Sequence, residues 1–279
     1  MIRVALPRAA MGGALATVLG ASAGVLLAQA DVPTYQARRV EEPVRIDGRL
    51  DEPAWALAPR VGAFRLITDP ARPPAYPTDA AVLWDDTHLY VAFASSGREA
   101  WGRYTERDAR LWEEEVVEVF LDPDGDGRQY AEIEVSPHNV VVDLLIAEPR
   151  AGGPEARRWD VAGLQTAIAR HADGWVAEMA IPWAALGGAG VSAAPAIGDT
   201  WRVGLYRITR PGGVEKAARI DALVEERRAA AEDRRAAIDA TLRQLRADDE
   251  YAAWSPTQAD RGFHDPERFG RLVFAARVR

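Results

Sequence analysis

Carboxylates crowd the stretch RDARLWEEEVVEVFLDPDGDGRQYAEIEV, from Arg107 to Val135. Three chemistries suit it: an acid pair for glycoside hydrolysis, a calcium loop, or the polar rim of a sugar site. A glycosidase needs two carboxyls at a set separation. Glu113, Glu114, Glu115 and Glu118 offer many pairs and single out none. The chain carries no H-E-x-x-H and no P-loop, motifs that would mark a zinc-bound water or a phosphate cradle. These residues therefore read as a binding site and not as a catalytic one.

A strand shows its side chains alternately to two faces. Over Val116–Leu121, Val117, Val119 and Leu121 share one face, while Val116, Glu118 and Phe120 share the other. In the partner strand, Ala131, Ile133 and Val135 fall together, opposite Tyr130, Glu132 and Glu134. Burying the aliphatic set gathers Glu118, Glu132 and Glu134 beside Tyr130, with Trp112 at the strand's entrance. Like charges this close repel unless something answers them. Internal arginines (Arg202 and Arg207), a bound cation, or ligand hydroxyls would each do so. The plainer alternative is a salt-bridged or solvated outer face.

DPDGDG, from Asp122 to Gly127, starts like a calcium loop, with oxygens at alternate positions and glycine sixth. Its twelfth position is Ile133, where an EF-hand needs a bidentate Glu. It reads first as a hairpin turn, with Asp122, Asp124 and Asp126 kept as calcium candidates. Asp47, Asp51 and Glu52 in DGRLDEPAW are further ones, whose plainer role is turn formation and helix capping.

The elements that must hold these residues follow from the rest of the chain. Its 279 residues are 48% hydrophobic, enough for a full core. A net charge of −8 with one lysine, Lys216, argues against nucleic acid. Cysteine is absent, and His88, His138, His171 and His264 lack zinc-site spacing. The N-terminus has Arg3 and Arg8, then a small apolar run ending in Ala28-Gln29-Ala30. Residues 1–30 read as a signal peptide, so the expected location is periplasmic or secreted, with no membrane association after cleavage. From Tyr35 to about Arg210, short alternating runs separated by Asp, Gly and Pro predict an all-β, antiparallel β-sandwich. Met179, in step with Trp175 and Ile181, reads as core. Residues of about 215–249, rich in Ala, Glu and Arg, predict one long helix or a helical pair. Its thin stripe of Ile220, Leu223, Val224, Ile238, Leu242 and Leu245 suits a helix lying across the sheet, or a docking arm. Asp239 and Arg243 are spaced for an i,i+4 pair.

Four segments, in order, resemble the family 9 carbohydrate-binding modules: VRIDGRLDEPAWALAPRVGAF, AAVLWDDTHLYVAFA, LWEEEVVEVFLDPDGDGRQYAEIEVSPHNVVVD and AWSPTQADRGFHDPERFGRLVF. The resemblance spans about Val44 to Phe274, interrupted by the helical stretch. It implies a β-sandwich, bound calcium, and a sugar held between two aromatic side chains. Trp112 matches the first platform and Glu118 the Glu on the following strand. Phe263 lies near the second platform. Where sugar-binding members use an amide and an Arg, this chain has Glu132 and Glu134.

The sequence thus points to an exported, non-catalytic domain spanning 31–279 that binds a mono- or oligosaccharide, in keeping with polysaccharide catabolism. Trp112 and Phe263 flank the ring; Glu118, Tyr130, Glu132 and Glu134 meet its hydroxyls or hold a cation. One alternative is an interaction module with a protein partner on the 215–249 helix. Another is a haem carrier drawing ligands from Met179, Lys216 and the histidines.

Overall fold

The computed structural model of the protein describes residues 32–97, 100–151, 153 and 155–277. The expected signal peptide, residues 1–30, lies outside them. Strands β1 (Thr34–Arg39), β2 (Arg65–Leu66), β3 (Thr78–Trp84), β4 (His88–Ser96), β5 (Val116–Asp122) and β6 (Tyr130–Val135) are followed by β7 (Val141–Ile146), β8 (Gln165–His171), β9 (Gly174–Pro182), β10 (Thr200–Thr209), β11 (Glu250–Ala253) and β12 (Gly270–Ala275). Their ladder runs β7-β6-β5-β10-β12-β1-β3-β4-β9-β8, with β11 paired to β10 and β2 to β11.

The protein is mostly β, as expected, but its sheet is mixed and continuous. β1 runs parallel to both β12 and β3. Asp- and Gly-rich turns report only on pairings between neighbours in sequence, which are hairpins and antiparallel. The β1–β12 pairing joins the two ends of the domain, and no turn encodes it. The sandwich expectation therefore stands corrected to one large, curled sheet.

The curl gives the sheet a single inner core. Val117, Val119 and Leu121 of β5 share it with Val91 and Phe93 of β4 and Met179 and Ile181 of β9. Met179 is core, as its spacing indicates. The outer face of the β5–β6–β10 arm carries a second core around Phe120, Tyr130, Tyr206, Phe263 and Phe269. A third covers the other arm's outer face, where Trp55 of helix α1 (Pro53–Leu57) packs against Leu83, Tyr90 and Ala180. Each such side chain contributes about 1.5–3 kcal/mol by leaving water.

The helical stretch is a hairpin: α2 (Gly213–Ala229) and α3 (Glu232–Leu245). Asp239 bonds Arg227 of the facing helix instead of forming the expected pair with Arg243, and Arg234 bonds Glu226 in the same way. The stripe closes the hairpin: Ile238 and Leu242 are buried, and Ile220, Leu223, Val224 and Leu245 are half-buried. The two helices pack chiefly on each other, so neither lies across the sheet. Ion pairs fasten the hairpin's base, from Lys216 and Arg210 to Asp249 and from Arg103 to Asp221.

Candidate functional site

Strand parity places the three glutamates. β5 and β6 pair with Glu118 opposite Glu134 and Phe120 opposite Glu132. Their aliphatic neighbours enter the inner core, so all three carboxyls emerge on the outer face. There they are buried: Glu118 is 2% exposed, Glu132 4% and Glu134 1%. One oxygen from each lies within 4.8 Å of the others. The solvated outer face considered above is therefore absent. Among the described residues, neither of the expected arginines salt-bridges the triad. Arg202 donates instead to the Phe269 carbonyl at 3.1 Å, and Arg207 pairs with Glu115 at 2.5 Å.

A cavity of about 450 Å³ opens onto the triad, lined also by Trp112, Phe263, His264, Tyr251 and Arg157. Trp112 sits in a 3-10 turn, Leu111–Glu113, just before β5. Arg210 fixes this turn by donating to the Trp112 carbonyl at 2.7 Å and, from its own backbone, to Glu115 at 2.8 Å. The Glu-Glu-Glu run is spent on structure. Glu113 accepts from the Tyr104 hydroxyl at 2.7 Å, and Glu114 from the Arg103 backbone at 2.6 Å and side chain at 2.8 Å. Phe263 comes from the loop before β12, held where Asp265 accepts from the Gln258 backbone and the Arg261 side chain. Its ring stacks on Tyr206 at 4.2 Å, nearly parallel. Gly204 makes that possible: a Cβ there would lie 2.3 Å from the Tyr206 ring.

Five of the six site residues expected from sequence thus share one cavity. Tyr130 is the exception and stands corrected as a direct ligand contact. It lies behind the wall, fully buried and stacked on Phe120, because its own strand position turns it into the aromatic core. Its hydroxyl reaches His264 Nδ1 at 2.7 Å, so it positions a residue that does line the cavity. His264, Arg157 and Tyr251 escaped sequence reading. His264 adjoins Phe263 in GFHDPERFG, a visible signal. Arg157 comes from a loop whose approach to Trp112 nothing local encodes; its guanidinium sits 4.9 Å from the Trp112 ring centre. A sugar using that face must displace it.

Burial dominates the electrostatics. It drives Glu118 and Glu134 well above the usual carboxylate range, and repulsion adds to the shift, from Glu132 at Glu118 and from Glu118 and Glu132 at Glu134. Glu132 is pushed up to about 7 by burial. His264 is held down at about 4, again by burial, and is neutral at pH 7. Its Nδ1 lies 2.7 Å from the Tyr130 hydroxyl, while its Nε2 is 3.8 Å from Glu132, too far for a hydrogen bond. Among the described residues, neither oxygen of Glu134 has a hydrogen-bond partner, nor does Oε2 of Glu132. As carboxylates, the two can only accept; a bond between them requires a proton on one.

A family model, the carbohydrate family 9 binding domain-like family, matches residues 46–209. The chain belongs to this family of non-catalytic carbohydrate-binding modules. The match ends where the helical hairpin begins. Among solved structures, the family 9 domain is similar to a family 9 module from Caldicellulosiruptor kristjanssonii in complex with cellotriose, at 15% identity and a TM-score of 0.55, covering 88% of this chain and 95% of that one. The glucose complex gives 14% identity and a TM-score of 0.53, covering 88% and 97%. A Bacteroides uniformis protein of proposed carbohydrate-binding function gives 15% identity and a TM-score of 0.59, covering 87% and 99%. No curated protein matches. At these identities the likeness is one of fold.

The calcium candidates of this family 9 domain divide. Asp122, Asp124 and Asp126 come together, one oxygen of each within 4.8 Å of the others. Their oxygens also serve the turn: Asp122 accepts from the Gly125 and Gly127 backbones, both at 3.1 Å. Both glycines adopt positive φ, the turn chemistry read from DPDGDG. Asp47, Asp51 and Glu52 do not gather among the described residues. Asp47 pairs with Arg45 and accepts from the Arg49 backbone, and Asp51 is exposed. Among the described residues, no helix is long and apolar enough to cross a membrane.

Proposed function

We propose that this family 9 domain binds a mono- or oligosaccharide in the cavity between Trp112 and Phe263, as part of an exported protein serving polysaccharide catabolism. The observation carrying this reading is that Trp112 and the three glutamates of one acidic stretch share a cavity of about 450 Å³ with Phe263, from the far end of the chain, large enough for a pyranose ring. Aromatic faces suit the apolar side of such a ring, and carboxyl oxygens suit its hydroxyls. Export rests on the signal-peptide pattern of residues 1–30. Calorimetric titration against mono- and oligosaccharides tests the proposal. Trp112→Ala should weaken binding by about 1–2 kcal/mol; unchanged affinity places the sugar elsewhere.

Calcium is proposed at Asp122, Asp124 and Asp126, whose hard oxygens suit it. Calcium should raise the melting temperature and chelation reverse it, with Asp124→Asn/Asp126→Asn abolishing the difference. A second reading, a protein partner on the helical hairpin, is favoured by helices that pack chiefly on each other. Sedimentation with and without residues 213–245 tests it: a complex that survives deletion removes it.

A further inference from the structure

The sugar reading leaves one feature unanswered. A neutral saccharide brings hydroxyl donors to the triad but no positive charge to draw its gathered carboxyls into their ionised form. Among the described residues, Arg210 attracts Glu118 and Arg157 attracts Glu134, but neither bonds a triad carboxyl. Arg210 pairs with Asp249 and Trp112, Arg157 lies over the Trp112 ring, and His264 is neutral. Two oxygens of Glu134 and one of Glu132, on cavity-lining side chains at least 95% buried, have no hydrogen-bond partner among the described residues.

A primary ammonium fits this cluster in number and in charge. It carries three N–H donors and one compact positive charge, against three carboxyl acceptors. A guanidinium is a planar fork that prefers one carboxylate at a time. A calcium ion takes six to eight oxygens. Beyond the triad, this cavity's side chains are apolar (Leu144, Ile146, Ile208), aromatic, or basic (Arg157, His264). They supply too few oxygens and place a guanidinium against a divalent ion.

We propose that the cavity selects an amino sugar, a pyranose with a free primary amine, seating its ammonium on Glu118, Glu132 and Glu134 and its ring between Trp112 and Phe263. This rests on the carbohydrate reading and narrows it. N-acetylation removes the charge and two of the three N–H donors, so acetylated sugars are poor ligands.

The test is calorimetric titration of the 31–279 chain at pH 7 with D-glucosamine, N-acetylglucosamine, glucose, cyclohexylamine and calcium chloride. Glucosamine should bind about tenfold or more tightly than glucose or N-acetylglucosamine, the worth of a charge-assisted hydrogen bond. Glu134→Gln, close in shape and checked for folding by its melting curve, should bring the glucosamine-to-glucose ratio near one. Glu132→Gln gives an independent second reading of that ratio. Equal affinity for glucose and glucosamine overturns the amino-sugar inference and leaves the carbohydrate function standing. Cyclohexylamine binding without any sugar binding overturns the carbohydrate reading and the amino sugar with it. Calcium that binds and excludes glucosamine assigns the triad to a metal and overturns the inference. Binding of none of these probes overturns both.

Discussion

Glu178 and Glu134 are both glutamates on strands one in from the two ends of one ladder, both turned to its outer face, and both buried. Glu178, on β9, accepts from the Trp55 indole at 2.8 Å, the Gly48 backbone at 2.6 Å and the Asp47 backbone at 3.1 Å. Glu134, on β6, faces two other carboxyls and a cavity, with neither oxygen partnered among the described residues. Burial raises both, but at Glu178 three donors pull the other way, while at Glu134 two neighbouring glutamates push further. One carboxyl is a staple that ties the α1 region to the sheet. The other is held buried by the fold without a hydrogen-bond donor among the described residues. A buried charge says little by itself; its donors decide whether it serves structure or binding.

This contrast breaks most sharply at the staple. Glu178→Ala should destabilise the protein by about 3 kcal/mol, because three donors, among them a buried indole, lose their acceptor. Urea denaturation measures it, and a loss below that expected for a surface change would dissolve the distinction. The next test is pH. Glu132 titrates at about 7 in the folded chain, above its unfolded value. Its contribution is therefore fully present below about pH 4 and is lost as pH rises through about 7, on the order of 3 kcal/mol. His264, depressed in the folded state, has the opposite slope, losing stability as pH falls from about 6.5 toward 4. Comparing wild type with Glu132→Gln across this range cancels the His264 part. A flat difference would mean that the triad is already answered. The smallest effect is expected at Glu134→Leu, neutral or stabilising by about 1 kcal/mol, with sugar binding lost. Destabilisation as large as at Glu178 would show Glu134 to be a second staple.

Much of the site was legible locally. Period-two alternation placed Glu118, Glu132 and Glu134 on one face, and the structure pairs them as that parity requires. The same alternation put Met179 in the core. The misses are non-local. Arg207 looked available to the triad, but its strand position brings it to Glu115. Tyr130 shares the triad's face, yet a stack of aromatics from four chain segments draws it behind the wall. Arg157 arrives from a loop with no periodicity to read.

By itself the sequence determined which side chains alternate, where the turns fall, the helical composition of about 215–249 and four family segments, because these depend on neighbours within a few residues. Only the tertiary structure decided that β1 runs parallel to both its neighbours, that the sheet is one curled ladder, and that the acidic face is sealed from water. Burial and partner supply depend on segments far apart in the chain. That is why a cluster compatible with an ordinary charged surface became three buried carboxyls on the wall of a cavity.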